Sequence, residues 1–199
     1  MSVPKTYTGK YLDHIGFPLG GLGAGMFTVE GTGSFSSFSL KHAPRVNLEP
    51  CLFAAVTVKG EQNLSRVVEA QVPKHKIFGG ALAPQERRPD PVPLTKATGL
   101  MGASYGLPRF RAAEFQARFP FAELRFWDDT FPLRAALTAW SPFTPPNADD
   151  SSYPGAYLEY RFTNPTSKRL DAVFYFSSMN FLALGQGKAP VSPYKNGFI

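Results

Sequence analysis

The chain has 199 residues, 43% of them hydrophobic, which suits one domain with one substantial core and excludes a disordered chain. Its 19 prolines and 18 glycines follow no period, so the composition is that of a turn-rich globular protein and not of collagen. The formal net charge of +6 is scattered, densest only at Lys74-His75-Lys76 and Arg87-Arg88, which favours a solvated basic surface over a nucleic-acid-binding stripe.

In chain order, the first sixteen residues carry no apolar h-region, so no signal peptide is expected. No apolar run approaches the ~20 residues of a membrane span, and the expectation is a soluble, cytoplasmic protein. Residues 17–25, FPLGGLGAG, pose the first question of function. Gly21, Gly23 and Gly25 have the wrong spacing for a dinucleotide fingerprint, and no Lys-Ser or Lys-Thr follows to make a P-loop. The residues after Gly25, MFTVEGTG, read as a strand, so no helix N-terminus is there to hold a phosphate. Gly20, Gly21, Gly23 and Gly25 are expected to form a tight, close-packed turn feeding that strand.

Period-2 alternation dominates the rest. Leu52, Ala54, Val56 and Val58 share one face of a strand, and Val68, Ala70 and Val72 share one face of the next. Cys51, the single cysteine, borders the first of these and reads as a buried structural thiol. Residues 73–108 are irregular. The stretch RFRAAEFQARF is read as a strand, although Phe110, Phe115 and Phe119 also fit part of a helical stripe. Ala122, Leu124 and Phe126 face inward on the following strand, and Leu133, Ala135, Leu137 and Ala139 on the one after it. Residues 141–155, SPFTPPNADDSSYPG, form a second long irregular stretch of the kind that carries function on a β framework. Ala156, Leu158, Tyr160 and Phe162 then alternate inward. LDAVFYFSS is apolar on both faces, which predicts a central strand. KGEQN, DDTFP and TNPTSKR read as hairpin connections between 52–58 and 65–72, 121–127 and 132–140, and 156–162 and 170–178. The fold class is all-β: an antiparallel two-sheet β-sandwich with long Pro/Gly-rich loops, spanning residues 1–199 as one domain.

Complete catalytic constellations are absent from the sequence. A glycosidase needs two carboxyls facing each other at about 5 to 9.5 Å. Neighbours on a strand point to opposite faces, so neither Asp128-Asp129 nor Asp149-Asp150 makes such a pair alone. Both pairs are read first as turn residues. His14, His42 and His75 are far apart, with no metal-binding spacing, and no serine sits in G-x-S-x-G. No metal and no cofactor are expected. Trp127, Trp140 and Tyr153 are candidates for stacking on a sugar, against the commoner role of aromatics as core. Asp149, Asp150, Tyr153 and Trp140 are therefore the candidates for a rim or a sugar contact.

Two blocks carry a resemblance. GFPLGGLGAGMFTVEGTGSFSSFSL resembles the opening of the N-terminal domain of glycoside hydrolase family 116, which includes non-lysosomal glucosylceramidase and bacterial β-glucosidases. FPFAELRFWDDTFPLRAALTAWSPFTPPNADDSSYPGAYLEYRFTNPTSKRLDAVFYFS resembles the same domain further on. Phe38 stands where many relatives are expected to have tryptophan. The resemblance implies a β-sandwich in front of an (α/α)6 helical barrel that holds the catalytic Glu and Asp. It therefore implies that this chain is a non-catalytic supporting domain, a truncated or split product whose partner is the barrel, with carbohydrate as a further partner. The family's front domain is longer than this chain, which implies missing strands and an unpaired sheet edge. The rival readings are a free-standing carbohydrate-binding module and, third, a basic nucleic-acid-binding sandwich. No nucleic-acid partner and no membrane span are expected.

Overall fold

The computed structural model describes residues 5–46, 48–78, 104–183, 191–195 and 197–198. Its larger sheet takes β1 (Lys5–Thr8), β8 (Ala112–Arg118), β9 (Phe121–Trp127), β10 (Arg134–Trp140) and β11 (Tyr157–Thr163), in that order and antiparallel. A four-stranded sheet takes β2 (Gly16–Leu19), β3 (Met26–Glu30), β4 (Phe35–Leu40) and β5 (Ala43–Arg45). A three-stranded sheet orders β12 (Asp171–Ser178), β6 (Leu52–Lys59) and β7 (Leu64–Val67).

These strands follow from alternation. Ala122, Leu124 and Phe126 on β9 and Ala135, Leu137 and Ala139 on β10 are all 4% exposed or less. Leu52, Ala54, Val56 and Val58 on β6 face the same core, as do Leu19, Val29, Phe35 and Phe38 from the four-stranded sheet. The architecture is an all-β sandwich in which the second layer is divided. Phe17 meets Phe115, and Gly33 sits on the ring of Phe126, so the four-stranded sheet covers one part of the larger sheet. Phe174 meets Tyr160 and Phe162, so the three-stranded sheet covers another. A bulge at Ser37 (φ 54) shifts the register of β4 against β3 and keeps Phe38 in the core, stacked on Phe27 at 5.3 Å. At the position expected to hold tryptophan, phenylalanine is fully buried.

The strand reading of RFRAAEFQARF holds as β8. The DDTFP hairpin forms between β9 and β10, and KGEQN joins β6 to β7, although β7 ends at Val67 and the expected alternation over 68–72 fails, with Val68, Glu69 and Ala70 all buried. Two further expectations are corrected. TNPTSKR does not close a hairpin: β11 pairs with β10, whereas β12 pairs with β6 in the other layer. Asn164 supplies the turn chemistry all the same, accepting from the Thr166 N–H and donating to the Lys168 carbonyl. Turn residues report that the chain bends, not which strand it pairs with next. The second correction is that LDAVFYFSS is an edge strand and not a central one. Its Val173, Phe174, Tyr175 and Phe176 are 41–44% exposed. Phe174 and Phe176 face the aromatic rings of β11, and Val173 and Tyr175 lie on the opposite side, so both faces are apolar without both being covered. Among the described residues no strand pairs with the outer edge of β12, which leaves a row of backbone donors and acceptors open.

The irregular stretches also contain short helices. Lys74–Phe78 forms α1, and Ala148–Ser151 forms α2. The rest of the first stretch, from 79 to 103, lies outside the described residues.

Candidate functional site

The glycine segment is the six-residue loop of the β2–β3 hairpin. Gly20 has φ 138, and a Cβ there would lie 2.2 Å from the Gly25 carbonyl oxygen. Gly21 needs no special dihedral. Its constraint is contact, because a Cβ would lie 2.4 Å from the Tyr153 carbonyl oxygen and 2.5 Å from the Ser152 carbonyl carbon. The loop is thus docked, backbone on backbone, onto residues 141–155. The Leu22 N–H donates to the Ser151 carbonyl at 2.9 Å, and the Gly20 N–H donates to Ser141 Oγ at 2.7 Å. Gly23 (φ 72) stands in open space, and Gly25 (φ 99) lies against the Ser39 carbonyl.

The receiving stretch is held by its own hydrogen bonds. Asn147 caps α2: its Oδ1 accepts from the Asp150 N–H at 3.1 Å, and its Nδ2 donates to Asp150 Oδ2 at 2.7 Å. Ser151 Oγ accepts from the Thr144 N–H and donates to the Asn147 carbonyl. The Asp150 carboxylate is therefore engaged in the cap, and Asp149 is exposed beside it.

Between the two segments lies a cleft of about 460 Å³. Leu22, Met26, Phe119 and Phe143 give it an apolar wall, with the Phe119 and Phe143 rings edge to face at 4.8 Å. Ser39, Ser141 and Ser151 add polar positions, and Lys41 and His42 stand at the lip. Among the described residues, no acidic one lines it. Lys41 and His42 are the two central residues of the β4–β5 turn, with φ 53 and 57. A two-residue turn of this kind normally takes Asn-Gly, because side chains in the left-handed region cost about 1 kcal/mol each. Lys41→Asn with His42→Gly is expected to stabilise the domain by about 1 kcal/mol, raising its melting temperature by a few degrees. A lower melting temperature for this variant would contradict the turn geometry.

The family profile described as beta-glucosidase 2, glycosyl-hydrolase family 116 N-term matches residues 16–197. The chain belongs to the family 116 N-terminal domain. The match spans both segments that the fold brings together at the cleft. Among curated proteins, none matches the chain.

The other candidates of this family 116 domain are dispersed. Trp140 lies on the outer face of the larger sheet, stacked on Tyr157 at 4.4 Å and touching Phe121 at 5.8 Å. Tyr157 thus occupies one ring face that a sugar would need. Trp127 is at the far end of β9 from Phe121, about 20 Å away at ~3.3 Å per residue. Tyr153 is 57% exposed in the loop, with its ring edge against Gly155. His14 and His75 stack at 6.2 Å, while His42 is at the cleft. Among the described residues, no cluster of His, Cys, Asp or Glu is fit to hold a metal. Cys51 is free and partly exposed.

Asp128 does more than turn the chain. Its side chain is 1% exposed and accepts from Arg66 Nε at 2.9 Å and from the N–H and hydroxyl of Thr130. Burial alone would raise the Asp128 pKa. The hydrogen bonds from Thr130 and Arg66 outweigh it and hold the carboxyl below its usual range. A carboxyl depressed on folding adds stability above its unfolded pKa, near 3.9, and loses it as pH falls through the folded value. The stability gap between wild type and Asp128→Asn, measured by urea unfolding, is therefore expected to be constant above about pH 5 and to shrink below about pH 4. A gap that does not change with pH would contradict this assignment.

Sequence reasoning missed a buried polar cluster behind the sheets. Lys76 donates to Glu30 at 2.5 Å and to Glu49, and the Tyr105 hydroxyl donates to Glu49 at 2.7 Å. Burial would lower the Lys76 pKa, but Glu30 and Glu49 more than offset it and raise the pKa above its ordinary value. Burial and the same carboxylates push Tyr105 up. Two carboxylates do meet here, yet an ammonium fills the space a glycoside would need. Nearby, Arg109 donates to Glu69 at 3.1 Å and to the carbonyls of Ser104, Tyr105 and Leu107. The available signal was an acidic residue in each of three apolar settings, TVEG, NLEP and VVEA.

Proposed function

We propose that this family 116 N-terminal domain is the non-catalytic β-sandwich of a β-glucosidase or glucosylceramidase-like glycoside hydrolase. Its role is to support a helical-barrel catalytic partner and to shape the rim of that partner's site with its long loops. The observation that carries this reading is the cleft where both family segments meet: it is apolar and basic, and its described lining residues offer no carboxylate to a glycosidic bond. The carboxylates that come together elsewhere are neutralised around Lys76. A free-standing carbohydrate-binding module would need a row of open rings, whereas Trp140 is stacked on Tyr157 and the exposed Trp127 lies at the other end of the sheet. No helix among the described residues is long and apolar enough to cross a membrane. A cytoplasmic location belongs to the same proposal.

The test is hydrolysis of an aryl β-glucoside. The purified chain alone is expected to give no turnover. Combined with the helical-barrel polypeptide of a family 116 enzyme, it is expected to increase that polypeptide's activity or its lifetime at elevated temperature. Turnover by the chain alone would overturn the proposal, as would a barrel indifferent to its presence.

A further inference from the structure

The cleft beside the glycine loop has a composition that specifies its occupant. Leu22 is 58% exposed, Phe119 62%, Phe143 39% and Met26 36%, and these side chains converge on one groove. Four partly exposed apolar side chains around one concave site can seat a single apolar anchor. The titratable residues that line it, Lys41 and His42, are both basic. They are carried on a turn whose two left-handed positions would be filled at lower cost by Asn and Gly. Backbone strain of this kind clusters at functional sites.

We infer that this groove docks an acidic segment of the catalytic partner, with a bulky apolar side chain seated among Leu22, Met26, Phe119 and Phe143 and a carboxylate beside Lys41 and His42. The inference rests on the functional reading above and names the chemistry of the contact. Three features of the groove favour such a segment. Its wall is apolar, so the anchor is a hydrophobic side chain. Its lip is basic with no acidic counterpart among the described lining residues, so an acidic partner segment is its electrostatic complement. Its glycine edge is locked to residues 141–155 through Leu22 and Gly20, so the groove is formed before the partner arrives and little ordering is left to oppose binding.

The experiment measures binding of this chain to the purified helical-barrel polypeptide of a family 116 enzyme on a biosensor, at low and high salt. Leu22→Asp and Lys41→Glu are each expected to weaken binding about tenfold or more. Lys168→Glu makes the same charge change at the remote β11–β12 turn and is expected to leave binding within about twofold. Lys41→Asn with His42→Gly is the sharpest variant. It is expected to melt higher than wild type and yet to bind about tenfold more weakly, with most of the salt dependence gone. A variant that binds poorly because it is misfolded cannot show that pair of results. If wild type binds but the groove variants do not weaken it, or Lys168→Glu weakens it as much, this inference fails and the functional reading stands. If wild type does not bind at all, the functional reading fails and takes this inference with it. Self-association of the chain that Leu22→Asp abolishes would assign the groove to a second copy and overturn the inference.

Discussion

Replacing Gly21 with alanine is expected to lower the stability of the domain by about 3 kcal/mol, a fall in melting temperature of roughly 6–12 °C. The added methyl meets backbone, not side chain: the Tyr153 carbonyl oxygen at 2.4 Å and the Ser152 carbonyl carbon at 2.5 Å. A flexible side chain could swing away, but these atoms belong to a segment already fixed by the Asn147 cap and by Ser151. The loop must lift off, and the Leu22–Ser151 hydrogen bond lifts with it. Gly23→Ala is the control. Gly23 has a positive φ but nothing within 4 Å, so its substitution is expected to cost only about 1 kcal/mol. Thermal melts of the two variants separate contact from dihedral strain. A Gly21→Ala variant no less stable than Gly23→Ala would show that the loop is not docked.

Arg109→Met is expected to destabilise the domain by about 3–5 kcal/mol in urea unfolding. Arg109 is 5% exposed, and its guanidinium binds Glu69 and the carbonyls of Ser104, Tyr105 and Leu107. Loss of the arginine leaves a buried carboxylate without this cation and removes the donor that gathers the 104–107 turn. The variant Glu69→Gln with Arg109→Met is expected to be milder than the sum of its two single changes, because the carboxylate that lost this cation is neutral. Strict additivity would show that the two groups do not act as a pair.

How much of this was legible depends on range. The cores of β9 and β10 could be read residue by residue, since Leu124 sits between Glu123 and Arg125, Leu137 is followed by Thr138, and strand geometry turns such alternation into one buried face. The requirement for glycine at residues 20–25 was legible as a tight turn, but its reason at Gly21 was not. The reason is a peptide at Ser152–Tyr153, more than a hundred residues away, and no local pattern encodes that contact. β12 misled because an apolar strand with two apolar faces reads as central, whereas here one face covers aromatic rings and the other is open. The Glu30–Glu49–Lys76 cluster was invisible for the same reason of range: its members come from β3, from the segment before β6 and from α1. The Asn147–Asp150 cap, by contrast, is a local pattern of polar residues three apart, and it could have been read.

The account stands on the glycine segment being a structural device locked to residues 141–155, and amide hydrogen exchange at Leu22 tests this most directly. The Leu22 N–H, bonded to the Ser151 carbonyl, is expected to exchange as slowly as the N–H of Ser152, which closes the end of α2, and the two are expected to lose protection together in Gly21→Ala. If Leu22 exchanges at the rate of an open loop while Ser152 stays protected, the two segments are not one unit, and the cleft between them is not a built surface.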